Sequence, residues 1–152
     1  MYLEFLGDPS SLGSWRHNGG LQTLISYGLK PSLNPGPEEQ RELAEDLGRL
    51  AARQHRPLIE KMPVTYTCGD YFFVHAGIRP GVPLNEQRDE DLLWIREDFL
   101  FYDRAFEKII VHGHTPVKAP EVRRNRINLD VGAYATGTLA CMVLDGDTIA
   151  FV

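Results

Sequence analysis

The chain has 152 residues, of which 43% are hydrophobic and 24% charged, and a formal net charge of -5. These values exclude a disordered or membrane-embedded class, give enough apolar material for one folded domain over residues 1–152, and argue against a general nucleic-acid surface, which needs concentrated positive charge. With only two cysteines, Cys68 and Cys141, no CxxC pair, no secretory leader pattern and no apolar run near the ~20 residues of a membrane span, a reduced, cytoplasmic protein is expected.

In chain order, residues 1–6 form a helix-like apolar cluster with no Ser, Thr, Asp or Asn ahead of it as a cap, so sequence upstream of Met1 is expected to be missing. Residues 15–27 read as helical around Gly19 and Gly20, with Leu21, Leu24 and Ile25 on one face and Gly28 as the stop. Residues 31–37 read as a loop. The strongest helical pattern runs over 38–54. Pro37 suits its first turn, Glu38 and Glu39 complement the positive end of its dipole, and Leu43, Leu47 and Leu50 form the expected buried stripe. Pro57 is expected to end or kink that helix.

The apolar period then changes to that of strands. Residues 64–67 and 71–74 flank Gly69-Asp70, a hairpin signal. A short helix over 89–94 and a buried strand over 108–111 follow. Residues 122–124 and 126–129 are expected to pair around Asn125, and 138–144 with 148–152 across Asp145-Gly146-Asp147. Cys141, inside the apolar run 139–144, is expected to be a core thiol. The pattern is α/β, with helices first and then a mostly antiparallel or mixed sheet.

Two segments share a local plan. Phe72-Phe73-Val74 runs into His75-Ala76-Gly77, and Ile109-Ile110-Val111 runs into His112-Gly113-His114. Each is a buried strand ending in histidine and small residues, which let the backbone turn tightly and approach a ligand. Ligands of open α/β sheets gather beyond the carboxyl ends of strands. Neutral imidazole ligates zinc, iron, manganese and related ions. Alone, each histidine fits a metal ligand or a side chain satisfied by a neighbouring carbonyl; the paired plan favours a shared metal. Spacing does not choose between His112 and His114, because residues two apart in a continuing strand face the same side. Asp130 can orient a site group or close a turn, and Tyr134 can reach a substrate or simply lie in a loop. Arg123, Arg124 and Arg126 can attract a phosphorylated partner or form a solvated turn.

Four ordered segments, covering roughly 60–150, resemble the phosphoprotein phosphatase family of metallophosphoesterases, in its bacterial and phage form. Phe73-Val74-His75-Ala76-Gly77-Ile78-Arg79-Pro80 is similar to the family's H-(A/G)-G segment. Leu92-Leu93-Trp94-Ile95-Arg96 resembles L-L-W-x-R, Val111-His112-Gly113-His114-Thr115-Pro116-Val117 resembles G-H-T-P, and Ile127-Asn128-Leu129-Asp130-Val131-Gly132-Ala133 resembles I-N-I-D-T-G-A. The resemblance implies a calcineurin-like, four-layer α/β/β/α sandwich. It also implies two divalent ions (manganese, iron or zinc) that polarise a phosphoryl oxygen and activate water. Carried over residue by residue, it makes His75 and His114 metal ligands, favouring His114 over His112. Arg96 becomes the phosphate-binding residue, a task suited to a permanently charged planar fork. The implied substrate is phosphoserine or phosphothreonine in proteins, with a dinucleoside tetraphosphate or another nucleotide phosphate as the alternative.

The family's G-D-x-H-G, G-D-x-x-D-R-G and G-N-H-E segments, which carry the remaining ligands and the proton donor, do not occur in the sequence, and neither Gly7-Asp8 nor Gly69-Asp70 continues in their pattern. The expectation is therefore the carboxyl-terminal part of such a domain, α+β as truncated, with no catalytic residue of its own. At most one weak metal site and little hydrolysis by the chain alone follow, as does self-association through uncovered apolar surface. A non-catalytic, partner-binding module is the other outcome the same features allow.

Overall fold

The structure is a computed structural model and describes residues 1–51, 55–146 and 148–152. The chain divides into two units, Met1–Met62 and Pro63–Val152.

The first unit is helical: α1 (Tyr2–Gly7), α2 (Leu12–Trp15), α3 (Gly20–Ser26), α4 (Pro37–Ala51) and α5 (His55–Lys61). Phe5, Leu12, Trp15, Leu24, Leu43, Ala44 and Leu47 form its core. Gly20 lets α3 start against Trp15, where a Cβ would lie 2.9 Å from the indole. Gly28, at φ 83°, follows the helix in the left-handed conformation that glycine adopts without penalty. In α4, Leu43 and Leu47 are buried as expected, but Leu50 is 54% exposed. The buried stripe continues along the four-residue ridge to Ala51 and is widened by Ala44, so small side chains do what Leu50 was expected to do. Gln54, the expected helix end, lies outside the described residues. Pro57 lies in the first turn of α5 as described, where a missing N–H is tolerated, and the junction of α5 with α4 lies outside the described residues.

The second unit carries the sheets. β1 (Thr65–Cys68) and β2 (Tyr71–Val74) are the antiparallel hairpin expected across Gly69-Asp70, with Thr65 opposite Val74 and Cys68 opposite Tyr71. Then come α6 (Asp89–Trp94), α7 (Glu97–Leu100), β3 (Ile109–His112), β4 (Glu121–Val122), β5 (Arg126–Asn128), α8 (Ala133–Thr136), β6 (Met142–Asp145) and β7 (Thr148–Phe151). Five strands form one mixed sheet in the order β1-β2-β3-β5-β4, while β6 and β7 pair separately. The β2–β3 and β3–β5 pairs are parallel, and the edge pairs β1–β2 and β4–β5 antiparallel. The chain is thus mixed α and β, with parallel pairing at the sheet centre.

Phe72 and Ile110 from the sheet meet Ala76, Ile78, Leu92, Ile95 and Phe99 in the core of this unit. The Ala76 N–H donates to the Leu92 carbonyl at 2.9 Å, tying the end of β2 to α6. Cys141 is exposed, contrary to the core placement expected for it. The β6–β7 pair is a two-stranded ribbon in which Met142 and Leu144 are half-covered and Val143 is exposed. Such a ribbon has no second layer within its own sheet to bury an apolar run. Among the described residues no helix is long and apolar enough to cross a membrane.

Candidate metal centre

The parallel register of β2 and β3, with Phe73 opposite Val111, sets their carboxyl ends side by side. The pairing continues one step further, where the Gly113 N–H donates to the His75 carbonyl at 2.9 Å. Beyond it the rings of His75 and His114 meet: Nε2 of His75 lies 3.0 Å from Nδ1 of His114. His75 follows directly on the last residue of β2. His114 arrives differently, at φ 65°, the sole non-glycine residue with positive φ among those described. The Thr115 N–H donates to the Gly113 carbonyl at 2.7 Å, closing a three-residue γ-turn centred on His114. A left-handed φ costs a residue with a Cβ roughly 1–2 kcal/mol.

That turn makes His112 and His114 diverge, which spacing alone left open. His112 is 3% exposed, and its ring meets Phe99 edge-on at 4.8 Å between centroids. Its Nδ1–H faces the Gly113 carbonyl at 3.1 Å, and Nε2 has no hydrogen-bond partner among the described residues. Burial pushes its pKa down to about 4, so the ring is a neutral core group.

Arg96, in the bend between α6 and α7, is exposed, and its Nη1 donates to Thr115 Oγ1 at 2.9 Å and to the His114 carbonyl at 3.4 Å. The structure thus brings His75, His114 and Arg96 together. Trp94 stands edge-on to His114 at 5.8 Å. Asp130 closes a turn, its Oδ1 accepting from the Gly132 N–H at 2.9 Å. It also lines, with His75, His114, Leu129 and Val131, an open depression of about 410 Å³. Tyr134 is 89% exposed on α8.

The arginine cluster is neither a free basic patch nor a solvated turn throughout. Arg123 pairs with Glu121 at 2.8 Å, and Arg124 Nε donates to the Asp103 carbonyl at 2.9 Å. Arg126 is 2% exposed and donates to the carbonyls of Leu100 and Tyr102, with its guanidinium 5.7 Å from the Phe99 ring centre. It serves the carboxyl end of α7, where free carbonyls attract a cation. Gly77 also departs from the expected role. A Cβ there would lie 2.3 Å from the Phe99 ring, so it is small to admit a core aromatic and not to approach a ligand.

Burial holds His75 below the ordinary histidine range; the charge of Arg96 adds to this and that of Asp130 opposes it. His114 is lowered by burial first, then by Arg96 and His75, against Asp130 and the Trp94 backbone. Both rings are therefore biased to the neutral, ligating form. Two nitrogens sharing one ion at ~2.0–2.1 Å each stand roughly 2.8–3.4 Å apart at right-angle to tetrahedral geometry, and the 3.0 Å between His75 Nε2 and His114 Nδ1 falls within that span. Among the described residues no group of three or more His, Cys, Asp or Glu side chains converges as a complete metal site. The donor set fits half a site.

Asn128 and Thr115 escaped the sequence reading. Asn128 is 2% exposed, and its Nδ2 donates to the Thr115 carbonyl at 2.9 Å. Its signal was an amide between Ile127 and Leu129 in a strand otherwise suited to burial. No protein-family model matches the chain, and no curated protein matches it.

Proposed function

We propose that this chain carries part of the metal and phosphate site of a metal-dependent phosphoesterase of the phosphoprotein phosphatase type, hydrolysing phosphate monoesters such as phosphoserine and phosphothreonine in proteins. One observation carries the reading. His75 Nε2 and His114 Nδ1 face each other at 3.0 Å beyond neighbouring parallel strands, and the Arg96 guanidinium bonds the next residue, Thr115.

His75 and His114 donate imidazole lone pairs to a shared divalent ion. When bound, such an ion polarises a phosphoryl oxygen as a Lewis acid. The Arg96 guanidinium has five N–H donors in a rigid fork. Among the described residues Arg96 is engaged through Nη1 alone, by Thr115 and His114, which leaves the rest of the fork to orient a phosphate. Two imidazoles are too few for a two-ion site, because dications ~4 Å apart need anions between them. In this reading the carboxylates come from residues outside the pair, and the five-stranded sheet is one layer of a four-layer α/β/β/α sandwich.

The test is calorimetric titration of the chain and of H75A and H114A with manganese and zinc, followed by binding of a phosphopeptide and of diadenosine tetraphosphate to the metal-loaded protein. We expect weak binding of one ion, lost in both variants, and phosphopeptide binding that R96A abolishes. Ion binding unchanged in H75A and H114A would refute the ligand assignment, and preference for the dinucleotide would move the substrate to nucleotide phosphates. Turnover by this chain alone is expected to be slight.

A further inference from the structure

We propose that Asn128 is a positioning residue for His114: its buried carboxamide holds the strained γ-turn that directs Nδ1 of His114 at His75. The consequence for metal binding rests on reading those two histidines as ligands; the positioning itself rests on geometry alone.

The loop from Gly113 to Pro116 is pinned at both ends to the residues that follow β5. Before it, the Leu129 N–H donates to the His112 carbonyl at 3.0 Å; after it, the Val117 N–H donates to the Asp130 carbonyl at 2.8 Å. Asn128, in register with His112, supplies a side-chain bond between these two anchors. Its Nδ2 donates to the Thr115 carbonyl at 2.9 Å, while its Oδ1 accepts from the Asp130 N–H at 2.9 Å. One rigid, buried amide therefore locks the residue that closes the γ-turn to the backbone beside the depression. A histidine released from such a lock would relax to negative φ, where the Cβ clash vanishes, and its ring would leave His75. Aspartate has the same shape and can keep the bond from Asp130 but cannot donate to Thr115. Asparagine is thus needed for chemistry and not for volume.

The experiment uses the whole chain and its N128D variant, with two readouts. In the metal-free protein we expect N128D to abolish the ring-to-ring nuclear Overhauser contact of His75 and His114. It should also abolish exchange protection of the Thr115 amide, while protection of Ile110 and Val111 in β3 persists. Zinc titrated into both proteins should bind N128D about 10–100-fold more weakly, the usual effect of removing a group that orients a ligand. N128D keeping the ring contact, the Thr115 protection and the zinc affinity would overturn the proposal. If the parent chain binds no zinc but N128D still frees the ring, the metal reading fails and the positioning stands. Should β3 lose protection in N128D, N128A, which removes the donor to Thr115 without adding charge, takes its place with the same deciding outcomes. The H114G background adds a check: glycine accepts positive φ, so N128D should disturb Thr115 less there than in the parent.

Discussion

At the end of β2, the chain delivers His75 immediately after Val74, and Gly77 lies with its backbone against Phe99. At the end of β3, the strand's own last residue, His112, is buried, and the next two residues turn through the left-handed conformation of His114. Both ends present one imidazole to the same point, but the first does so with a glycine spent on core packing and the second with a strained backbone. A histidine followed by small residues is therefore not one device. The neighbours of each glycine decide which it is.

The largest expected difference between the ends lies in those glycines. G77A would place a methyl 2.3 Å from a fully buried ring, and we expect a loss of about 3 kcal/mol by denaturant unfolding, the upper range for overpacking. G113A meets the Asp130 side chain, nearest at its Cβ at 3.3 Å, and should cost less than about 1 kcal/mol. Equal losses would break the comparison. Behind the first end, Arg126 braces α7 and the Phe99 ring. R126A should cost about 2 kcal/mol, because it strips charge-assisted bonds from half-buried carbonyls.

A smaller effect has opposite signs at the two ends. H114G should be about 1 kcal/mol more stable than H114A, because glycine has no penalty at positive φ. H75G should be less stable than H75A by about 0.5 kcal/mol, because at an ordinary negative φ glycine brings only extra freedom in the unfolded chain. The same sign at both positions would remove the claim that only one end is strained.

The smallest effect is an acid one. Beyond His75, Arg79 pairs with Asp91 at 2.5 Å and with Asp98 at 3.1 Å, and Arg79 holds the Asp91 carboxyl below its ordinary range. A carboxylate lowered on folding contributes stability above its unfolded value, about pH 4, and the contribution is lost as pH falls through the folded value. D91N should flatten that acid limb of the stability profile slightly. Asp91 is mostly covered, but Arg79 is half-exposed and solvent screens the pair through it, which keeps the effect small.

The hairpin at Gly69-Asp70, α4, α6 and the two strand-end histidines were legible because each rests on local periodicity or turn chemistry. The side-by-side strand ends were legible as a pattern, but the parallel register that produces them joins residues about forty apart. Leu50 and Cys141 were misread because apolar composition does not say which face another element covers. His112 and His114 were indistinguishable because the deciding event, a γ-turn, reverses the strand alternation on which spacing arguments depend. Arg126 was misread since two of its partners, at Leu100 and Tyr102, are backbone carbonyls, which carry no residue-type signal. Asn128 was passed over for the same reason.

The central claim is that His75 and His114, and not His112, form the ion-binding pair. Long-range proton–nitrogen correlation spectra of the histidine rings, recorded while zinc is added, test it most directly. The account predicts that the resonances of His75 Nε2 and His114 Nδ1 shift together and saturate with one ion while His112 stays fixed. A shift of His112 in place of His114, or no response from either paired ring, would contradict it.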